Sequence, residues 1–184
     1  TGVVKWLAQD WKCSVIRIAM GVESGGYLDN PYDEKQKVMK MVDAAISSGI
    51  YVIIDYHSHE AHRNPEPAKR FFTEMAKKYG KYPYVIYEIF NEPVKDSWKE
   101  IKNYSVEVIK EIRKHDPDNI ILVGSPHWDQ DIHLVADDPI RGYENIMYTV
   151  HFYAATHGKV LRDRSDYALK KGIPIFVSES AGMK

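Results

Sequence analysis

The sequence predicts an α/β protein, a partial (β/α)₈ TIM barrel in which about six of the eight strand–helix units are present. Three observations carry that expectation. Six short apolar runs rich in Val, Ile, Tyr and Phe recur along the chain. Their spacing, roughly thirty residues, is the length of one strand plus its crossover helix. Segments of helical period separate them, an alternation that implies a parallel sheet. Polar, reactive side chains cluster where the runs end, and barrels build their active sites there. An open dinucleotide-binding sheet would instead show a glycine-rich turn after an early strand. Here "GVESGGY" (21–27) is a weak approximation to that fingerprint, with no helix directly after it.

The opening "TGVVKWLAQDW" reads as a helix. "VIRIAM" (15–20) is the first strand. A helix over 33–49 follows, with acidic residues at its start and Gly49 at its end. "IYVIIDYH" (50–57) is the second strand; its lack of alternation suits a strand covered on both faces. The helix over 65–80 has proline early and Gly80 last. "YVIYEIFNE" (84–92) is the third strand. It ends on Asn91, Glu92 and Pro93, and proline cannot continue the ladder. Glu88 and Glu92 lie four residues apart, so in an extended chain they share a face, one deep and one at the rim. The next helix runs from Asp96 and is stopped by Pro117. "NIILVGS" (119–125), a short helix and loop within 129–140, "IMYTVHFY" (146–153), a helix over 159–172 and "IPIFVSE" (173–179) complete the series.

Nothing in the sequence marks a linker or a second domain, so residues 1–184 form one partial catalytic domain. The net charge of −1 gives no pull toward nucleic acid or an anionic membrane. No apolar stretch approaches the ~20 residues of a membrane span, and no signal peptide opens the chain. A lone Cys13 excludes an internal disulfide. The 13 Tyr and 4 Trp supply rings with a polar edge, which suit flat amphipathic ligands such as sugars and also serve any core.

Glu92 and Glu179 end different strands. In a barrel they would face one another across the mouth, as glycosidic bond cleavage requires: one carboxyl protonated, the other bare. Arg17, His151 and Tyr153 sit at neighbouring strand ends to hold and orient them. Each residue taken singly has a plainer reading. Asn91 suits a turn, Tyr153 suits packing, and Arg17 suits neutralisation of a buried Glu88. Two rival functions draw on other residues or features. "DYHSHEAH" (55–62) places His57, His59 and His62 after a strand, and with Asp55, His133 and His151 they offer ligands for a metal-dependent hydrolase. That reading leaves "NEP" and Glu179 unexplained. The other rival is a catalytically inactive sugar-binding fragment.

"VIYEIFNEP" closely resembles the acid/base motif of glycoside hydrolase family 5, in clan A of the (β/α)₈ glycosidases, and most of all its bacterial endo-β-1,4-glucanases (cellulases). The resemblance extends along essentially the whole chain. It implies that Glu92 is the general acid/base and that Glu179, in "PIFVSES", is the nucleophile of a retaining mechanism. It further implies that Arg17 in "VIRIAM", His57 in "YVIIDYH", Asn91 in "IFNEP", Trp128 in "SPHWDQD" and His151 and Tyr153 in "HFYAATHG" bind or orient the substrate. The substrate is then a β-glucan, with cellulose, mannan, xyloglucan and mixed-linkage glucan all open. No cofactor and no metal are implied, and a polymeric substrate implies secretion. The sequence departs from the family in two ways. It lacks counterparts of the first and eighth barrel strands, and Ser180-Ala181-Gly182 stand where family cellulases usually carry Trp-Gly. The expectation that follows is weak activity of the isolated chain and self-association through unpaired strand edges.

Overall fold

A computed structural model describes residues 2–182. Six parallel strands form one sheet in the order β1-β2-β3-β4-β5-β7. They are β1 (Val15–Gly21), β2 (Tyr51–His57), β3 (Val85–Glu88), β4 (Ile121–Val123), β5 (Ile146–Thr149) and β7 (Ile175–Phe176). Two short strands, β6 (Phe152–Tyr153) and β8 (Ser180–Ala181), pair with each other just beyond the sheet. The helices are α1 (Gly2–Gln9), α2 (Pro31–Ser47), α3 (Pro65–Tyr79), α4 (Trp98–Arg113), the tight turn α5 (Pro126–Asp129), α6 (Ile132–Asp137) and α7 (Lys159–Lys170). This is the expected series of units, with shorter strands. Glu92 and Glu179 lie past the ends of β3 and β7, in the segments that follow them.

The helices start where local chemistry favours them. α2 and α3 carry proline in the first turn. α4 opens with a capping box in which Ser97 and Glu100 satisfy each other's backbone N–H groups. Their apolar faces cover the outside of the sheet. Phe71 and Phe72 of α3 pack edge-on or tilted against Tyr56 and Tyr87 of the sheet, all four fully buried.

The inner face of the sheet holds a second, smaller core of Ile53, Ile86 and Leu122, flanked by Ile120, Met147 and Phe176. Side chains alternate along a strand, so residues two further on share that face. The register pairs Ile53 with Ile86 and then Asp55 with Glu88. An apolar layer therefore gives way to a layer of buried carboxylates toward the C-terminal ends of the strands. Among the described residues β1 and β7 each pair with one neighbour, so the barrel is partial and its inner face is open at both margins. On β1 the helix-facing Ile16, Ile18 and Met20 are buried while Val15 and Ala19 on the inner side are exposed.

Candidate active site

Arg17 stands at the centre of the inner face. Its guanidinium donates from Nε to Glu88 Oε2 at 2.5 Å, from Nη1 to Glu179 Oε2 at 3.0 Å, and from Nη2 to Asn91 Oδ1 at 2.7 Å. Nη2 also lies 3.0 Å from Asp55 Oδ2. Burial works against its charge, but Asp55, Glu88 and Glu179 more than compensate and push its basicity above the ordinary arginine value. The planar fork can serve four partners at once, which a lysine could not do.

Glu179 accepts from Arg17 on one oxygen and from the Tyr153 hydroxyl, at 2.5 Å, on the other. Partial burial pushes the carboxyl up. The Tyr153 hydrogen bond and the nearby charges of His151 and Arg17 outweigh it and hold Glu179 below the usual carboxylate range. The same hydrogen bond pushes the Tyr153 phenol up to about 12, so it stays a donor. β6 and β8 set this pair: Tyr153 is hydrogen-bonded in register with Ala181, two residues after Glu179.

Glu92 meets a different partner. Its Oε1 lies 2.9 Å from His151 Nδ1, and the other ring nitrogen of His151 lies 2.8 Å from Ser178 Oγ and 3.3 Å from Asp129 Oδ2. Burial disfavours an imidazolium here, but the Glu88 carboxylate 3.8 Å away, the hydrogen bond with Glu92 and the charge of Asp129 push His151 up to about 10. When it carries its second proton, His151 can donate to Glu92 from Nδ1 and to Ser178 from Nε2.

The segment carrying Glu92 is pinned from several sides. The Tyr104 hydroxyl donates to the Ile89 carbonyl at 2.7 Å. Glu92 N–H donates to Ser58 O, and Trp128 N–H donates to Pro93 O. Gly124 completes the fit, since a Cβ there would stand 2.9 Å from both Phe90 O and Pro93 Cδ. One carboxylate oxygen of Glu92, one of Glu179 and a ring nitrogen of His151 all lie within 4.8 Å of one another.

The remaining sequence candidates ring this centre. Asn91 is buried, and its carbonyl is held by Arg17, which leaves its amide N–H groups free to donate. His57 donates from Nδ1 to Asp55 Oδ2, 2.7 Å away, so Nε2 is its free nitrogen. Trp128 is 41% exposed and sits in α5, where three consecutive residues, His127, Trp128 and Asp129, have left-handed φ of 60°, 53° and 58°. Such backbone is strained for non-glycine residues and persists only where its surroundings fix it. Buried Asp129 does so: its side chain accepts from Ser125 N–H at 2.6 Å and from Thr149 Oγ1 at 2.8 Å. Burial pushes the Asp129 carboxyl well up.

The metal reading gathers no support. His59 Nδ1 lies 3.0 Å from the Glu92 carbonyl, and His57 is committed to Asp55. Among the described residues, the group close enough to share an ion is Glu92, His151 and Glu179, without His57 or His59. Its imidazole meets Glu92 through one ring nitrogen and Ser178 through the other.

Three contributors went unassigned in the sequence: Ser178, Asp129 and the role of Asp55. Ser178 and Asp129 join different strands to His151, and no periodicity reports such a contact. Asp55 is fully buried beside Glu88, and burial, with the Glu88 charge adding to it, pushes its carboxyl to about 7.

The chain is similar to known proteins along nearly its whole length. Endoglucanase Z of Dickeya dadantii is 54% identical over 175 residues, which cover 94% of this chain and 41% of that protein. An endoglucanase of Clostridium saccharobutylicum is 50% identical over 181 residues, 96% of this chain and 40% of that one. Among solved structures, one from Cytophaga hutchinsonii superimposes with a TM-score of 0.95 at 57% identity, covering 97% of this chain and 58% of that chain. The catalytic domain of Thermobifida fusca endoglucanase Cel5A (E5) gives 0.90 at 37% identity, covering 97% and 61%. The chain thus spans about two fifths of the curated relatives and about three fifths of the solved chains it matches. The cellulase model of glycosyl hydrolase family 5 matches residues 1–184 throughout, and the chain belongs to that family.

Proposed function

We propose that the protein is a retaining glycoside hydrolase that cleaves internal β-1,4-glucosidic bonds of cellulose or a related β-glucan. The observation that carries this reading is the pair of carboxyls, Glu92 and Glu179, within 4.8 Å oxygen to oxygen. Retaining enzymes hold their pair roughly 5 Å apart, whereas inverting enzymes leave room for a water. Glu179, kept bare by Tyr153 and Arg17, attacks the anomeric carbon and forms a glycosyl-enzyme. Glu92 gives a proton to the departing oxygen as that bond breaks, then takes one from the water that releases the sugar. His151 orients Glu92. Asn91 presents its amide to a sugar hydroxyl, His57 presents Nε2, and Trp128 offers an exposed ring face for stacking.

The relatives support the substrate class. Those compared are named endoglucanases, and the Thermobifida fusca domain has also been solved with cellotetraose. Action on a polymer places the protein outside the cell. Among the described residues, no helix is long and apolar enough to cross a membrane.

Two substitutions in a barrel-complete form of the protein test the assignment. Glu179→Ala should abolish hydrolysis, and azide should restore turnover while inverting the product's configuration. Glu92→Ala should cost about 10²–10⁴-fold on substrates with poor leaving groups and far less on activated aryl glycosides. Cellulose binding without turnover, unchanged by Glu92→Gln, would instead mark a binding-only protein.

A further inference from the structure

Glu88 is a fully buried carboxylate between the two halves of the site. One oxygen accepts from Arg17 Nε at 2.5 Å, and Arg17 passes on to Glu179. The other accepts from Ser178 Oγ at 2.5 Å, and Ser178 in turn meets His151 Nε2, whose ring passes on to Glu92. The result is an unbroken hydrogen-bonded chain, Glu179–Arg17–Glu88–Ser178–His151–Glu92, with Glu88 the carboxylate that joins its two cationic arms. We propose that Glu88 is a positioning residue that sets both reacting carboxyls at once, resting on the assignment of Glu92 and Glu179 as the catalytic pair.

The physical case is one of charge as well as reach. A buried carboxylate with no cation beside it is expensive, so Glu88 draws Arg17 and His151 toward itself. Each cation then has a fixed face left for its catalytic neighbour. The charged groups around Glu88 are Arg17 from β1, Asp55 from β2 and His151 after β5, with Ser178 after β7. Those around His151 are Glu92, Glu88 and Asp129. Burial pushes Glu88 up, but His151 3.8 Å away, the Arg17 charge and the hydrogen bonds from Arg17 and Ser178 hold it below the ordinary range. Glu88→Gln keeps the shape and one acceptor oxygen while deleting the charge.

Nitrogen NMR of the histidine rings in this chain reads the effect without relying on turnover. Glu88→Gln should lower the His151 midpoint by about 1–3 pH units, the span a neighbouring charge commands. In a barrel-complete form, kcat should fall on the order of 10–100-fold, as when outer partners that orient reacting groups are lost, with KM little changed. A folded Glu88→Gln with wild-type midpoint and wild-type kcat overturns the proposal. Should that variant fail to fold, Ser178→Ala carries the test: it cuts only the His151 arm, and an unchanged His151 midpoint and kcat overturn the proposal equally. Glu92→Gln and Glu179→Gln run alongside. If both are inactive while Glu88→Gln is not impaired, the positioning role is wrong and the pair stands. If both retain full activity, the pair itself is wrong.

Discussion

At the scale of single residues, the site separates two chemically identical carboxyls by their partners. Glu179 receives a phenol and a guanidinium; Glu92 receives an imidazole alone at hydrogen-bond distance. Tyr153→Phe tests that contrast. It removes a donor to the ionised form of Glu179, so the Glu179 carboxyl should rise toward its ordinary value. Because the nucleophile must be ionised, the acidic limb of kcat/KM should move to higher pH. The loss of a hydrogen bond to a charged group predicts a drop of about 10–100-fold in kcat/KM. A pH–rate profile checks both, and an unmoved acidic limb would remove Tyr153 from the control of Glu179. Residues at this scale were legible where chemistry contradicted its local setting. A glutamate ending an apolar run before Pro93, and another ending a run at 179, are poor strand continuations and so announce themselves. Glu88, a charge in the middle of an apolar run, was legible in the same way together with its pairing to Arg17, but Ser178 and Asp129 announce nothing, because their meaning lies in contacts across strands whose register a sequence does not state.

At the scale of elements, the sheet places the chemistry in layers. The inner apolar layer of Ile53, Ile86 and Leu122 lies below the layer of Asp55 and Glu88, and Glu92 and Glu179 follow in the segments beyond the strands. The helices and their order were readable from caps, prolines and period. Strand ends were not, since β3 stops at Glu88 although the apolar run continues to Phe90. Ile89 and Phe90 remain fully buried after the strand ends, so burial and strand pairing part company there. The left-handed turn that presents Trp128 was likewise hidden, for no glycine marks it. Gly124 is where the β4 strand end must lie close to the Glu92 segment. Gly124→Ala should cost about 1–3 kcal/mol of stability through overpacking against Phe90 and Pro93. It should also lower kcat by displacing Glu92. Thermal unfolding and steady-state kinetics check this; a variant as stable and active as the parent would show that the contact yields freely.

At the scale of the whole molecule, the open sheet governs behaviour. β1 and β7 each leave one edge unpaired among the described residues, and Val15, Tyr51 and Tyr84 expose apolar area on or beside the inner face. Unpaired edges invite pairing with another chain. The 184-residue chain in isolation should therefore associate in sedimentation velocity and show little turnover of carboxymethylcellulose. A stable monomer with normal turnover would show that six strands suffice. Covalent trapping reads directly which carboxyl bonds to sugar. A barrel-complete form would be treated with a 2-deoxy-2-fluoro cellobioside bearing an activated leaving group and analysed by peptide mass spectrometry. One adduct is expected, on the peptide containing Glu179 and at that residue. Hydrolysis with inverted configuration and no adduct, or an adduct on Glu92, would contradict it.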